Sequence, residues 1–307
     1  MVYTVTLNPA LDYVLKVARL RDDDINRTES EALYYGGKGI NVSVILTRLG
    51  IPNKALGFVG GFTGKQLEAM LKADGIDCDF CYLDSGMTRI NVKVKMDKEL
   101  DINAQGPTVS TENIEELLKK LDGMQNGDYL VLAGAIPPSL PSDVYERMMR
   151  YLTDKEVCFV VDATGDLLLK ALPYKPFLVK PNHLELGDLF GVKLQTAAEI
   201  EHFARKLQKM GARNVLVSRA ENGALLLDEY GSVYEAKNAD GILINSVGCG
   251  DSMVAGFLAG YIEKRDYAYA LKLGTACGNA TAYSDTLATR QEIDNILNQS
   301  IIKSADG

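Results

Sequence analysis

Residues 245–257 read NSVGCGDSMVAGF: two glycines one position apart, an acid directly after them, then a run of small and apolar residues. A Gly-x-Gly that opens a helix leaves backbone N–H groups unpaired and facing outward, which makes a cradle for phosphate. Asp251 sets a carboxylate beside that cradle. Such a charge is unfavourable next to an anion unless it removes a proton from the group that attacks the phosphate, so the pairing points to phosphoryl transfer with a general base. By itself a Gly-x-Gly is also an ordinary tight turn.

Two further stretches carry reactive residue types. GGKGINVSVILTRLG (36–50) is a glycine-rich loop that leads Lys38 and Asn41 into an amphipathic helix, and VKPNHLEL (179–186) ends a strand with Lys180, Asn182 and, three residues on, Glu185. Neither glycine run near the N-terminus is a Walker A loop. The first has Ala32 where the leading glycine belongs and Gly39 where the hydroxyl belongs, and GGFTGKQ (60–66) ends in Gln66. A dinucleotide fingerprint fails as well, because Met253 holds the place of its third glycine and the motif comes late in the chain.

The elements that must position these residues are legible as alternating runs. Strands are expected at 2–7, 128–134, 157–162, 177–182 and 214–218. A helix is expected around Ile114, Leu117, Leu118 and Leu121, and another follows a Thr196–Glu199 capping box and closes at Gly211. Strand followed by helix implies an α/β, mostly parallel sheet covered on both faces, with ligands at the carboxyl ends of its strands. Two segments, 12–35 and 87–107, break the rhythm. They alternate and are partly polar, like half-exposed antiparallel strands, and together they predict a small discontinuous β-sheet lid inserted in a single domain spanning 1–307.

Composition removes other classes. The 307 residues carry 33 Lys+Arg against 41 Asp+Glu, a net charge of −8 that argues against nucleic acid as a partner. The N-terminal stretch has no basic segment followed by a long apolar run, and no window of about 18 apolar residues occurs, so a soluble cytoplasmic protein with no membrane partner is expected. Five scattered cysteines suggest reduced thiols. Cys78 and Cys81 lack the second pair or histidine that zinc requires. With only His183 and His202 in the chain, histidine-based nucleophilic catalysis has few ways to be built, and His202 falls on a helix surface.

The motifs GGKGINVS and NSVGCGDSMVAGF, with N-x-x-E at Asn182 and Glu185 between them, resemble in order and over essentially the full length those of the ribokinase-like carbohydrate kinases. The resemblance implies a doubly wound α/β core with a small β-sheet lid, and phosphoryl transfer from ATP with Mg²⁺. It implies Asp251 as base, the N–H groups of Gly248, Cys249 and Gly250 as the anion hole, and Asn182 and Glu185 as the metal motif. Phosphoryl transfer asks for a positioned nucleophile and stabilised equatorial oxygens, which a base and a helix N-terminus supply. Cys249 stands where alanine is common in the family, a change that leaves the backbone donors intact.

The acceptor in this family is a free sugar, a nucleoside or a sugar phosphate, and a phosphomonoester demands dedicated cations. Arg89 in MTRINVKVK and Lys38 in the glycine loop, beside Gly37 and Asn41, are those the resemblance assigns to a phosphate; Asp12 in TLNPALD would accept sugar hydroxyls, although a turn residue after Pro9 reads the same way. The trio TLNPALD, GGKGINVS and TRINVK is most similar to members that convert fructose 1-phosphate to fructose 1,6-bisphosphate, with tagatose-6-phosphate kinases sharing much of the pattern. On the nucleotide side the resemblance implies Lys180, Ser218, Gly223 and Asn279, with Arg219 and Ala220 in place of the common Leu-Gly pair. It also suggests a homodimer formed through the lid. A non-catalytic sugar-phosphate-binding regulator of the same fold would have no need of Asp251, Asn182 and Glu185 together.

Overall fold

The computed structural model describes residues 1–96, 99–299 and 302–304. In chain order the elements are β1 (Val2–Thr6), β2 (Ala10–Lys16), β3 (Ser30–Gly36), α1 (Lys38–Arg48), β4 (Asn53–Gly60), α2 (Gly61–Ala73), β5 (Cys81–Leu83), β6 (Arg89–Lys95), β7 (Leu100–Ile102), α3 (Thr111–Lys120), β8 (Tyr129–Ala133) and α4 (Val144–Tyr151). There follow β9 (Cys158–Asp162), α5 (Asp166–Ala171), β10 (Leu178–Val179), α6 (His183–Phe190), α7 (Ala197–Met210), β11 (Asn214–Ser218), β12 (Ala224–Leu227), β13 (Val233–Ala236), α8 (Cys249–Lys264), α9 (Tyr267–Ala282), α10 (Arg290–Leu297) and β14 (Ile302–Ser304).

The large sheet runs β14-β13-β12-β11-β10-β9-β8-β1-β4-β5; β11 through β5 are parallel, and β12, β13 and β14 extend one edge antiparallel. Successive residues of β8 serve opposite faces. Leu130 and Leu132 join one core with α3, α4 and α7, while Tyr129, Val131 and Ala133 join the other with α1, α8 and α9. A strand buried on both faces reads as a continuous apolar run, which is why YLVLA was recognisable. Where α8 and α9 pack together, glycines at 256, 260 and 274 let the two backbones approach.

The small sheet, ordered β3-β2-β6-β7, is mixed rather than antiparallel throughout. β2–β3 and β6–β7 are antiparallel, whereas the central β2–β6 pair is parallel. The reason is connectivity: β3 returns directly from β2, but β6 arrives only after the chain has passed through α1, β4, α2 and β5, and such a crossover delivers a parallel partner. Of the expected lid segment 87–107, residues 97 and 98 lie outside the described residues. Among the described residues no helix is long and apolar enough to cross a membrane.

Candidate active site

The candidate residues gather where the parallel strands end. Past β1 come Asn8 and Pro9; β9 closes on Asp162; Lys180 follows β10; and Ser218 ends β11. β1 sits between β4 and β8, so the strand order reverses there, which is where an open α/β sheet leaves its crevice.

The glycine-rich loop brings α1 onto the end of β1. Gly37 caps α1 at φ 129°, and a Cβ there would meet the Thr6 methyl at 2.7 Å, so no larger residue fits. Thr6 Oγ1 accepts the Ile40 N–H at 3.0 Å. Contrary to the amphipathic reading, α1 is buried from Gly39 to Leu46, a central helix rather than a surface one. It carries Asn41 inward, where Nδ2 donates to Asp251 Oδ2 at 2.8 Å.

Asp251 lies in the first turn of α8, only 5% exposed. No side chain caps that helix, so the N–H groups of its first turn stay available around Gly248, Cys249 and Gly250. Burial pushes the Asp251 carboxyl up to about 6, and the negative charge of Asp162 adds to the rise against the pull of Lys38, Asn41 and Lys180. The carboxyl can therefore exchange a proton near neutrality.

Asp162 was not singled out from the sequence. It is buried and takes two ammonium groups on one oxygen: Lys38 Nζ at 3.3 Å and Lys180 Nζ at 3.4 Å from Oδ1. Burial opposes its charge, but Lys180 and Lys38 outweigh that and hold its carboxyl below the usual range. Burial likewise opposes the charge on Lys38, and Asp162 with Asp251 more than restores it. Lys180 reaches under the opening of α8, since a Cβ on Gly250 would stand 3.0 Å from its Nζ. The available signal was position, an acid as the last residue of a strand in a sheet whose strand ends carry the site.

On the small sheet the parallel register sets Asp12 opposite Asn91 and Ala10 opposite Arg89. Asn91, also missed, donates Nδ2 to Asp12 Oδ1 at 2.8 Å and accepts the Ala104 N–H at 3.2 Å. Asp12 lies over the glycine loop, its Oδ2 2.7 Å from where a Cβ on Gly36 would be. Half-buried Arg89 donates Nη1 to the Ala104 carbonyl at 3.1 Å, while its Nε is buried without a partner. Asp12, Asn41 and Lys93 line one cleft of about 520 Å³ between the small sheet and Asn245, Val247 and residues 285–287.

Asn182 and Glu185 form a capping box on α6: Asn182 Oδ1 accepts the Leu184 and Glu185 N–H groups, and Glu185 Oε2 accepts the Asn182 N–H at 2.8 Å. The same spacing had been read as a cap only at Thr196–Glu199, which is one too. Ser218 pairs beside Asn182, its N–H donating to the Pro181 carbonyl, so Lys180, Asn182 and Ser218 share one rim. Gly223 sits in the β11–β12 turn at φ 82°, where a Cβ would strike the Ala236 carbonyl at 2.0 Å. In that turn Ala220 holds a left-handed φ of 48° and Arg219 pairs with Glu235 at 2.8 Å, so the Arg-Ala departure keeps a glycine-like bend and adds an ion pair to it. Asn279 is buried in α9, its Nδ2 without a partner. Cys78 and Cys81 are free, both thiols pushed up to about 12 by burial and nearby acids, and His202 is exposed.

Comparison with known proteins identifies the family. The family described as pfkB family carbohydrate kinase matches residues 5–291. The chain is 45% identical to a 1-phosphofructokinase of Bacillus subtilis, with 97% of each chain covered. It is 35% identical to a D-tagatose-1-phosphate kinase of Bacillus licheniformis over 97% of this chain and 98% of the relative. Among solved structures, phosphofructokinase-2 of Escherichia coli in complex with substrates and products superposes with a TM-score of 0.91 at 25% identity, covering 97% of this chain and 98% of the other.

Proposed function

The chain belongs to the pfkB family of carbohydrate kinases, and on that premise we propose that it transfers the γ-phosphoryl group of ATP to the 6-hydroxyl of fructose 1-phosphate, giving fructose 1,6-bisphosphate and ADP. One observation carries the choice of a phosphorylated acceptor. Arg89, half-buried and with an unpartnered Nε, stands two residue pairs along the register from Asp12 on the same sheet. A cation beside a hydroxyl acceptor suits a molecule with an anion at one end and hydroxyls along the other.

In this reading Asp12, held by Asn91, accepts hydroxyls of the sugar, and Arg89 and Lys38 take its 1-phosphate, with Gly37 and Asn41 closing the floor. Asp251 accepts the 6-hydroxyl proton as the oxygen–phosphorus bond forms and the bond to the departing β-phosphate oxygen breaks. The open first turn of α8, at Gly248, Cys249 and Gly250, receives the equatorial oxygens. Lys180, Ser218, Gly223 and Asn279 serve the nucleotide.

Among the described residues no cluster of three or more metal-ligating side chains occurs. That fits Mg²⁺, which binds through one or two carboxylates, substrate phosphates and its own waters rather than in a protein cage. Glu185 spends only Oε2 on its cap, so Glu185, with Asn182, is the group that would hold the ion, whose chemistry is to neutralise phosphate charge. ATP and phosphosugar as substrates place the enzyme in the cytoplasm. Two copies pair through the lid, where Leu33, Tyr13, Val92 and Ile102 form one row across the small sheet, with Leu33 and Ile102 exposed.

A second reading, D-tagatose 1-phosphate as acceptor, is favoured by the tagatose relatives; the two ketoses differ only in the configuration at C4. The test is ATP consumption with fructose 1-phosphate, tagatose 1-phosphate, tagatose 6-phosphate, fructose 6-phosphate and ribose at equal concentration. Highest kcat/KM on fructose 1-phosphate is expected. Preference for ribose would overturn the phosphosugar reading, and binding of sugar phosphate without any turnover would make the chain a regulator.

A further inference from the structure

Building on the kinase reading, we propose that Asp162 is a positioning residue that ties the acceptor-side lysine to the donor-side lysine, so that occupancy of one substrate site sets the affinity of the other. The geometry is a fork. Lys38 comes from the glycine loop of α1 and is 40% exposed, Lys180 comes from the end of β10 and is 6% exposed, and both end on the single oxygen Oδ1. The second oxygen, Oδ2, is buried and bonds to nothing.

Two ammonium groups on one carboxylate oxygen carry a surplus positive charge. Removing the carboxylate would leave the buried Lys180 ammonium and the partly exposed Lys38 ammonium to repel each other, and removing either lysine gives the other sole possession of the anion. An anionic group that draws Lys38 away thus tightens the hold of Asp162 on Lys180, and the reverse is equally true, since coupling between two ligands is reciprocal. The fork also faces the base. The charged groups around Asp251 are Asp162 from β9, Lys38 from α1 and Lys180 from the end of β10, with the Asn41 amide bonded to it and Cys249 on its own helix.

The experiment measures ATP binding by calorimetry and kinetics of both substrates in Lys38→Met, Lys180→Met and Asp162→Asn, singly and combined. Lys38→Met is expected to change ATP affinity about three- to tenfold although Lys38 is assigned to the sugar phosphate, and that cross-effect should vanish in the Asp162→Asn background. In Asp162→Asn the acid limb of kcat, set by Asp251, should move to lower pH by about one unit, because a neighbouring negative charge is gone. A buried counter-ion with a merely structural role would alter melting and leave both readouts in place. Unchanged ATP affinity in Lys38→Met together with an unmoved acid limb overturns the proposal. Should Asp162→Asn fail to fold, Asp162→Glu, which keeps the charge but moves the oxygen off the fork, takes its place in the same cycle, and a Lys38→Met effect on ATP that persists undiminished there overturns the proposal. Wild-type failure on ketose phosphates would instead reject the substrate reading, a result the ATP calorimetry does not depend on.

Discussion

Arg89→Ala separates a phosphate-binding cation from a lid residue, because the two roles move stability and catalysis in different directions. In the free protein the guanidinium makes one bond, Nη1 to the Ala104 carbonyl, and leaves Nε buried without a partner; burial lowers its pKa, with Asp12 alone opposing. Losing the bond costs about 1 kcal/mol, and relieving the unsatisfied donor returns about 1–3 kcal/mol, so the variant should melt within a few degrees of wild type or slightly above it. With substrate bound the balance reverses. A charge-assisted contact to a phosphate in a half-buried site is worth about 2–4 kcal/mol, and its loss lowers kcat/KM for fructose 1-phosphate roughly 30- to 1000-fold. Steady-state kinetics should place the loss in the sugar KM and leave the KM for ATP nearly unchanged. Arg89→Lys should recover only part of it, because an ammonium cannot reproduce the planar fork. Unaltered fructose 1-phosphate kinetics, or an equal loss with unphosphorylated fructose, would refute the assignment.

Asp251→Asn should retain substrate binding and lower turnover by roughly 10²–10⁴-fold, checked by kcat alongside calorimetry. Because the folded carboxyl is raised to about 6 from an ordinary 3.8, its protonated form favours folding below pH 4 and that contribution disappears as pH rises through 6. The asparagine variant should therefore melt above wild type at pH 8 and with it at pH 3.5, and wild-type kcat should fall as pH drops below about 6. Glu185→Gln keeps a capping side chain but loses the charge, so it should melt normally and need more Mg²⁺ for half-maximal activity; a superimposable Mg²⁺ titration would leave Glu185 a cap only. Gly223→Ala should destabilise by about 3 kcal/mol in a denaturant melt, given the strained φ and the 2.0 Å approach of the Ala236 carbonyl, and an unchanged midpoint would refute the turn geometry.

What could be read from the chain depended on whether the signal was local. β1, β8, β9 and β11 are mainly apolar runs buried on both faces, and such runs announce themselves. β4 was not anticipated, because Gly57 and Gly60 interrupt its apolar pattern. Alternation in the lid segments revealed strands but could not reveal direction, since period two is common to parallel and antiparallel partners. The residues proposed as base and anion hole, and the glycine loop, were visible because each lies in a contiguous motif. Asn91 and Asp162 were not, because their meaning lies in partners 79 residues away at Asp12 and 124 residues away at Lys38. N-x-x-E was visible as a motif and under-read as structure: the spacing that caps α7 caps α6 too.

The parallel pairing of β2 with β6 bears on when the molecule becomes itself. Hairpin β2–β3 closes locally, yet β6 reaches β2 only after β4, α2 and β5 have been laid down, Asp12 and its partner Asn91 being 79 positions apart. Loop-closure entropy of that length is recovered only when the intervening core is already docked. The small sheet is also poorly covered, with Leu33, Tyr34, Leu100 and Ile102 all exposed, which places it at the low end of local stability. The acceptor cradle proposed above straddles that pair, with Asp12 on one strand and Arg89 and Asn91 on the other. On that proposal the core is complete before the chain can hold its sugar, and an opening that released β6 would unmake the acceptor cradle while the rim of Lys180, Asn182 and Ser218 stands.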